Sequence, residues 1–160
     1  DGQGYRLDDE KIMAPIVEAA AANDMVLLTH CSEPVGHLYP GKGTVTPDEV
    51  IRFARLFPKA TLVCAHWGGG TIFYELMPEV ARVMHNVYYD TAASIYLYQD
   101  DIFSLAARWA PSKVLFATDY PLISPDRFIP HMQAARMPTA TRRRMLGGNA
   151  WRVLKLGERR

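Results

Sequence analysis

The sequence is short of several things, and each shortage narrows what it can do. It has two cysteines in 160 residues, Cys31 and Cys64. Both lie in or beside apolar strand-like runs, so no disulfide framework can be read from them, and a reducing, cytoplasmic setting is the expectation. No apolar run is long enough to span a bilayer, and no basic-then-apolar leader opens the chain, so no membrane partner is expected. One-signed charge is scarce as well: 18 basic against 17 acidic side chains leave a net charge of +1. That excludes a broad electrostatic footprint for nucleic acid. Arg142-Arg143-Arg144 and Arg159-Arg160 are local exceptions, expected on solvated helix and tail positions. The glycines Gly68-Gly69-Gly70 lack the Lys-Ser/Thr ending of a P-loop and the spacing of a dinucleotide fingerprint. No His-x-His pair occurs anywhere.

What is present is an apolar chain with a regular alternation. At 49% hydrophobic residues, it can bury one sizeable core, and a single domain over residues 1–160 is expected. Four apolar runs read as strands: Met25 to Thr29, Thr61 to Ala65, Asn86 to Thr91 and Lys113 to Thr118. They are near-continuous rather than alternating, as in a parallel sheet covered by helices. A first helix is predicted from Asp9 to Asn23, capped by Asp8 or Asp9, with Ile12, Met13, Ile16, Val17 and Ala20 as its buried stripe. A second starts at Thr46, with Pro47 at the first helical position and Glu49 completing a capping box, and Pro58 stops it. Further helical segments run from Thr71 to Met84, broken near Pro78, and within Gln99 to Trp109. Later starts fall at Ser124 and Thr139, and Gly147-Gly148 reads as a cap before a last helix from Asn149. The pattern is (βα)₄ with a leading helix. A whole (β/α)₈ barrel takes about 250 residues. The expected fold class is therefore α/β of the TIM-barrel type, with this chain supplying roughly strands five to eight. Nothing strand-like precedes the first helix, and the chain opens Asp1-Gly2-Gln3. A fragment of a longer polypeptide is the expectation.

Four polar residues stand at or just past the ends of these runs: His30, His66, Asp90 and Asp119, spaced 36, 24 and 29 residues apart. In parallel α/β folds, the C-terminal strand ends converge on one face, where chemistry collects. Period-two geometry gives His30 the parity of Leu28 and Val26, His66 that of Cys64 and Leu62, and Asp119 that of Ala117 and Leu115. If these sets share the barrel interior, the three residues crown it together. Imidazole nitrogens and a carboxylate are donors that Zn²⁺ and similar ions accept. Asp90 is the weaker candidate, equally suited to bonding a neighbouring loop or strand end. The loop Cys31 to Val45 is long enough to be functional. Trp67, Tyr120 and Tyr96 are candidates for an aromatic, substrate-binding wall. His37, His85 and His131 read as ordinary loop or helix-surface residues, and Cys31 should face away from His30.

Five segments in order carry a resemblance: Leu28-Thr29-His30-Cys31-Ser32-Glu33-Pro34, Cys64-Ala65-His66-Trp67-Gly68-Gly69, Val87-Tyr88-Tyr89-Asp90-Thr91, Leu115-Phe116-Ala117-Thr118-Asp119-Tyr120-Pro121 and Gly147-Gly148-Asn149-Ala150-Trp151-Arg152-Val153-Leu154. Together they resemble the C-terminal half of the amidohydrolase-related metal-dependent hydrolases, in the branch that includes aminocarboxymuconate-semialdehyde decarboxylase-like enzymes. The resemblance implies a TIM barrel in which His30 matches the metal-binding histidine after strand five. His66 then matches the histidine after strand six that moves protons, and Asp119 the metal-ligating, proton-carrying aspartate after strand eight. Asn149 and Arg152 match the closing helix. The implied activity is hydrolysis of a small carboxylated or cyclic substrate, with nonoxidative decarboxylation as the alternative. The implied cofactor is a divalent metal, zinc first, with manganese or iron as alternatives. The family draws two more ligands from a His-x-His on strand one, which this chain lacks. His30 and Asp119 alone do not close a tight site. A missing N-terminal half-barrel, or a second copy of the chain, is the expected partner. The competing expectation is a catalytically incomplete half-barrel used for assembly.

Overall fold

Four short strands, β1 (Leu27–Thr29), β2 (Leu62–Cys64), β3 (Val87–Asp90) and β4 (Val114–Leu115), form one parallel sheet in the order β1-β2-β3-β4. The computed structural model describes residues 4–36 and 38–157, so His37 and Arg159-Arg160 lie outside the described residues. The register pairs Leu27, Leu62 and Val87 in one row and Leu28, Val63 and Tyr88 in the next. Because parallel partners point the same way, each row belongs to one face.

One face is buried under helices. Leu62, Cys64, Val87, Tyr89 and Val114 join Val50 and Phe53 of α2 (Pro47–Leu56) in the main core. The segments Thr71–Leu76, α3 (Pro78–Val83), α4 (Ser94–Leu97) and α5 (Asp101–Trp109) follow, and Phe103 and Ala106 of α5 complete that layer. The other face carries Val63 and Leu115, against which Val153 and Ala150 of the last helix pack. Leu28 shares this second face, yet 69% of it is exposed. Among the described residues, β1 pairs only with β2 and β4 only with β3, so the described sheet has two open edges.

The first helix, α1 (Glu10–Ala22), obeys the sequence closely. The Asp9 carboxylate accepts from the Lys11 and Ile12 amides, and Asn23 closes the other end. Its predicted stripe is only partly buried: Met13 and Ala20 are inside, whereas Ile12 and Ile16 are exposed. Ile16 instead borders apolar hollows with Met25, Leu27 and Leu28 along the free β1 edge. The capping box expected at Thr46 does not form, because Thr46 makes no side-chain cap bond. Glu49 is buried, accepts from the Leu7 amide and meets Arg6 at 3.4 Å. A buried carboxylate must be satisfied, and the incoming N-terminal segment satisfies it first.

After β4 come α6 (Pro125–Ala134), α7 (Thr139–Arg143) and α8 (Asn149–Val153). Gly147-Gly148 does not stop a helix. Gly148 has right-handed angles, and the two glycines lie in a wide π-type turn, Arg144–Gly148, joining α7 to α8. Arg143 and Arg144 are exposed as expected. Arg142 instead donates to the Met132 and Ala135 carbonyls at the end of α6. Among the described residues, no helix is long and apolar enough to cross a membrane.

The buried Asn149 fastens α8 to the sheet by donating to the carbonyls of Pro111 and Val114, at 2.8 and 2.7 Å. Asn149→Ala leaves two such carbonyls unpaired and is expected to lower stability by about 1–3 kcal/mol, read from urea unfolding.

Candidate active site

The site is organised by a left-handed turn. β2 ends at Cys64, and the next residues but one, His66 (φ 55°), Trp67 (φ 58°), Gly68 (φ 66°), Gly69 (φ 57°) and Gly70 (φ 86°), all have positive φ. For glycine this is ordinary, but each L-residue in a left-handed turn costs roughly 1–2 kcal/mol. Consequently His66 leaves the period-two pattern. The expectation that it shares a wall with Cys64 and Leu62 is overturned, because those two side chains pack beneath the helices. The turn instead brings the His66 ring against His30, with ring centroids 4.9 Å apart and planes at 70°.

Four contacts hold the turn. The Asp90 Oδ1 oxygen accepts from the His66 amide at 2.9 Å and from the Ala92 amide at 3.0 Å. Hydrogen bonds to a charged acceptor are worth roughly 1.5–3 kcal/mol each, enough to offset two left-handed side chains. The Trp67 indole donates to Ser94 Oγ at 2.7 Å and packs on Phe103. Thr71 donates to the Gly68 carbonyl. Gly69 lies so close to the loop after β1 that a Cβ there would be 2.4 Å from the Ser32 carbonyl oxygen. The middle of the three glycines is thus where two strand-end loops touch.

Ser32 fixes the other histidine. Its Oγ lies 2.9 Å from His30 Nε2, accepts from the Gly43 amide at 2.8 Å and meets the Tyr39 hydroxyl at 3.4 Å. One buried hydroxyl therefore orients the His30 ring and pins the long loop back over it. Burial first, and the neighbouring His66 second, push the His30 pKa below the usual histidine value. A lowered pKa favours the neutral ring, the form that keeps a lone pair for a Lewis acid. Asp90 moves the other way: burial raises its pKa, and the amides of Ala92 and His66 oppose the rise.

His30, His66 and Asp119 line a single cavity of ≈ 330 Å³ together with Tyr39, Pro40, Gly41, Ala93, Tyr96, Leu97 and Leu122. Asp119 occupies a left-handed position (φ 70°) just beyond β4, on the exposed side. Two of the expected substrate contacts lie off this cavity. Trp67 is fully buried, because the turn drives its indole into the core rather than toward the cavity. Tyr120 is 75% exposed and is not among the lining residues, since the Asp119 turn carries it outward. Tyr96 does line the cavity. Sequence reasoning missed Ser32, Tyr39 and Leu122. Ser32 stood beside His30 in a quoted segment, and Tyr39 lay within a loop whose length had marked it. Cys31 is fully buried in the helix-side core, as its parity required. His85 is exposed, and His131 pairs with Asp100 at 2.8 Å.

Whether a divalent metal fits can be judged from the donors. Two imidazoles and a carboxylate on one cavity have the right chemistry. Among the described residues, however, no three His, Cys, Asp or Glu side chains come together closely enough to hold an ion. The donor types fit, and the number of donors at coordinating positions does not.

A model of a family described as amidohydrolase matches residues 1–156. No curated protein matches the chain. Several solved structures share the fold. The 5-carboxyvanillate decarboxylase of Sphingomonas paucimobilis has a TM-score of 0.75 and 18% identity, covering 96% of this chain and 56% of its own. A TIM-barrel protein of Bordetella bronchiseptica gives 0.72 and 21%, with 97% and 54% covered. A dihydroxybenzoic acid decarboxylase of Polaromonas sp. JS666, solved with bound manganese and 2-nitroresorcinol, gives 0.71 and 17%, with 96% and 56% covered. The chain therefore spans a little over half the length of these structures, and its four βα units form half of a TIM barrel.

Gly69→Ala combines a left-handed backbone with a collision against main chain, which cannot swing aside as a side chain can. The expected result is a loss of at least about 2 kcal/mol in urea unfolding.

Proposed function

The chain belongs to the amidohydrolase family, and we propose that it supplies the proton-moving half of an active site for nonoxidative decarboxylation of a small carboxylated ring compound. One observation carries this reading: His30, His66 and Asp119 meet on one cavity whose remaining walls are aromatic and apolar. Loss of CO₂ spreads charge from a carboxylate into the substrate carbon skeleton, and a weakly polar wall favours the spread charge over the localised one. A proton must then reach carbon. His66 is placed to deliver it, with Asp119 across the cavity as the second proton carrier. Two of the solved structures that share the fold are decarboxylases of aromatic acids, which supports the same reading.

His30 and Asp119 would contribute donors to a divalent ion, the remaining ligands coming from βα units outside this stretch. When bound, such an ion supplies Lewis acidity toward substrate oxygens. Zinc and manganese both suit these donors, and manganese occupies one structure of the same fold. The open β1 edge, with Ile16, Met25 and Leu28 exposed beside it, suits pairing with a further strand and its helix. The two unpaired cysteines are in keeping with a reducing cytoplasm.

Hydrolysis is the second reading, favoured by the family to which the chain belongs. His66 and Asp119 would then move the protons of an attacking water. Product analysis separates the two: CO₂ release from hydroxylated aromatic acids supports the first, and acid release from cyclic amides or lactones the second. In either case His66→Asn in the intact protein is expected to reduce turnover at least about a hundredfold, the usual scale for a general acid or base. Unchanged turnover removes His66 from the chemistry. His30→Ala should abolish stoichiometric metal in the intact protein, measured by elemental analysis. Retention of one tightly held ion by residues 1–160 alone would refute the idea that ligands come from elsewhere.

A further inference from the structure

We propose that Asp90 is a positioning residue that dictates which nitrogen of His66 faces the cavity. Asp90 is 6% exposed, at the end of β3, and is absent from the cavity wall. Its effect on the site runs through main chain. A single oxygen, Oδ1, gathers the amides of His66 and Ala92. With those two amides held together, the Ala92 carbonyl lies 3.0 Å from His66 Nδ1. A carbonyl oxygen only accepts, so a neutral His66 must carry its proton on Nδ1 and keep the Nε2 lone pair. The three bonds close a small ring: the carboxylate fixes residue 92, residue 92 fixes the imidazole, and the same carboxylate fixes the backbone from which the imidazole extends.

Among the described residues, the hydrogen bonds left once Oδ1 is removed join residue 66 to residue 92 only through the Nδ1–Ala92 contact itself. The Trp67–Ser94 bond acts one residue past His66 and two past Ala92, and it does not touch the imidazole. The carboxylate is needed here as an acceptor, not for substrate contact. An asparagine side chain offers an oxygen of the same reach and an alanine offers none.

The proposal deepens the reading of His66 as proton carrier and rests on it for its consequence in turnover, whereas the tautomer can be observed without any substrate. Long-range ¹H–¹⁵N spectra of the intact protein labelled with [¹⁵N]histidine report which ring nitrogen is protonated. In the unaltered protein and in Asp90→Asn, His66 should be protonated at Nδ1. In Asp90→Ala, that preference should fall about tenfold, the scale of one lost hydrogen bond. In turnover, Asp90→Ala should lower kcat with little change in KM, and Asp90→Asn should restore most of it. A folded Asp90→Ala protein with an unchanged tautomer overturns the proposal, and so does an Asp90→Asn protein that loses it. If Asp90→Ala does not fold, amide exchange in the unaltered protein decides. Protection of the His66 and Ala92 amides equal to that of β2 and β3 supports the role, and exchange as fast as the loop amides refutes it. A His66→Asn protein of full activity would defeat the proton-carrier reading alone and leave the tautomer result standing.

Discussion

The structure turns on a conflict at the end of β2. A parallel strand carries its side chains alternately to two faces, and at this point the chain needs a histidine at the mouth of the barrel, level with one from the neighbouring strand. It resolves the conflict by reversing the backbone through five consecutive left-handed residues, of which two are not glycine. That choice demands compensation nearby, and the surroundings provide it. A buried carboxylate accepts the first amide of the turn, an indole hydrogen-bonds to the next loop, and a glycine lets the turn rest on the Ser32 main chain. Strain at a functional position persists only where neighbours over-determine it. Here the neighbours come from the ends of the two flanking strands, β1 and β3.

The same geometry separates two jobs that look alike in one dimension. Asp90 and Asp119 both follow apolar runs, yet only Asp119 reaches the cavity. Asp90 spends its oxygen on backbone amides. His30 and His66 also part company. Ser32 turns the first ring, while the Ala92 carbonyl and Asp90 hold the second. The result is a cavity onto which the polar groups converge and whose other walls, including Tyr39, Tyr96, Leu97 and Leu122, are aromatic and apolar.

Below the site, the sheet has a well-packed helical face and a second face left partly open, with Leu28 exposed on it. Together with the two free edges, this is the surface that four further βα units cover in a closed barrel. The apolar border of β1 and the incomplete donor set therefore have one explanation. The wall is half of a barrel, and on the proposed reading the donor set is half of one too.

Much of this was legible in the chain itself. Continuous apolar runs announced a parallel sheet, their spacing announced βα units, and Asp9, Pro47 and Ser124 marked helix starts, because these signals act over a few neighbouring residues. The strand-end positions of His30, His66 and Asp119 were legible for the same reason. What the sequence could not disclose depends on contacts between distant segments. Glu49 read as a local cap but serves the Leu7 amide, 42 residues away. Gly147-Gly148 read as a stop, but α8 is drawn on by Asn149 bonding to the strand before it. Trp67 read as a pocket wall but is core, and His66 escaped its parity, because a turn bought by Asp90 from the next strand reversed the chain. Local chemistry determined which elements form and which residues stand at their ends. Tertiary structure decided where those residues point, since only there do the partners that hold them come within reach.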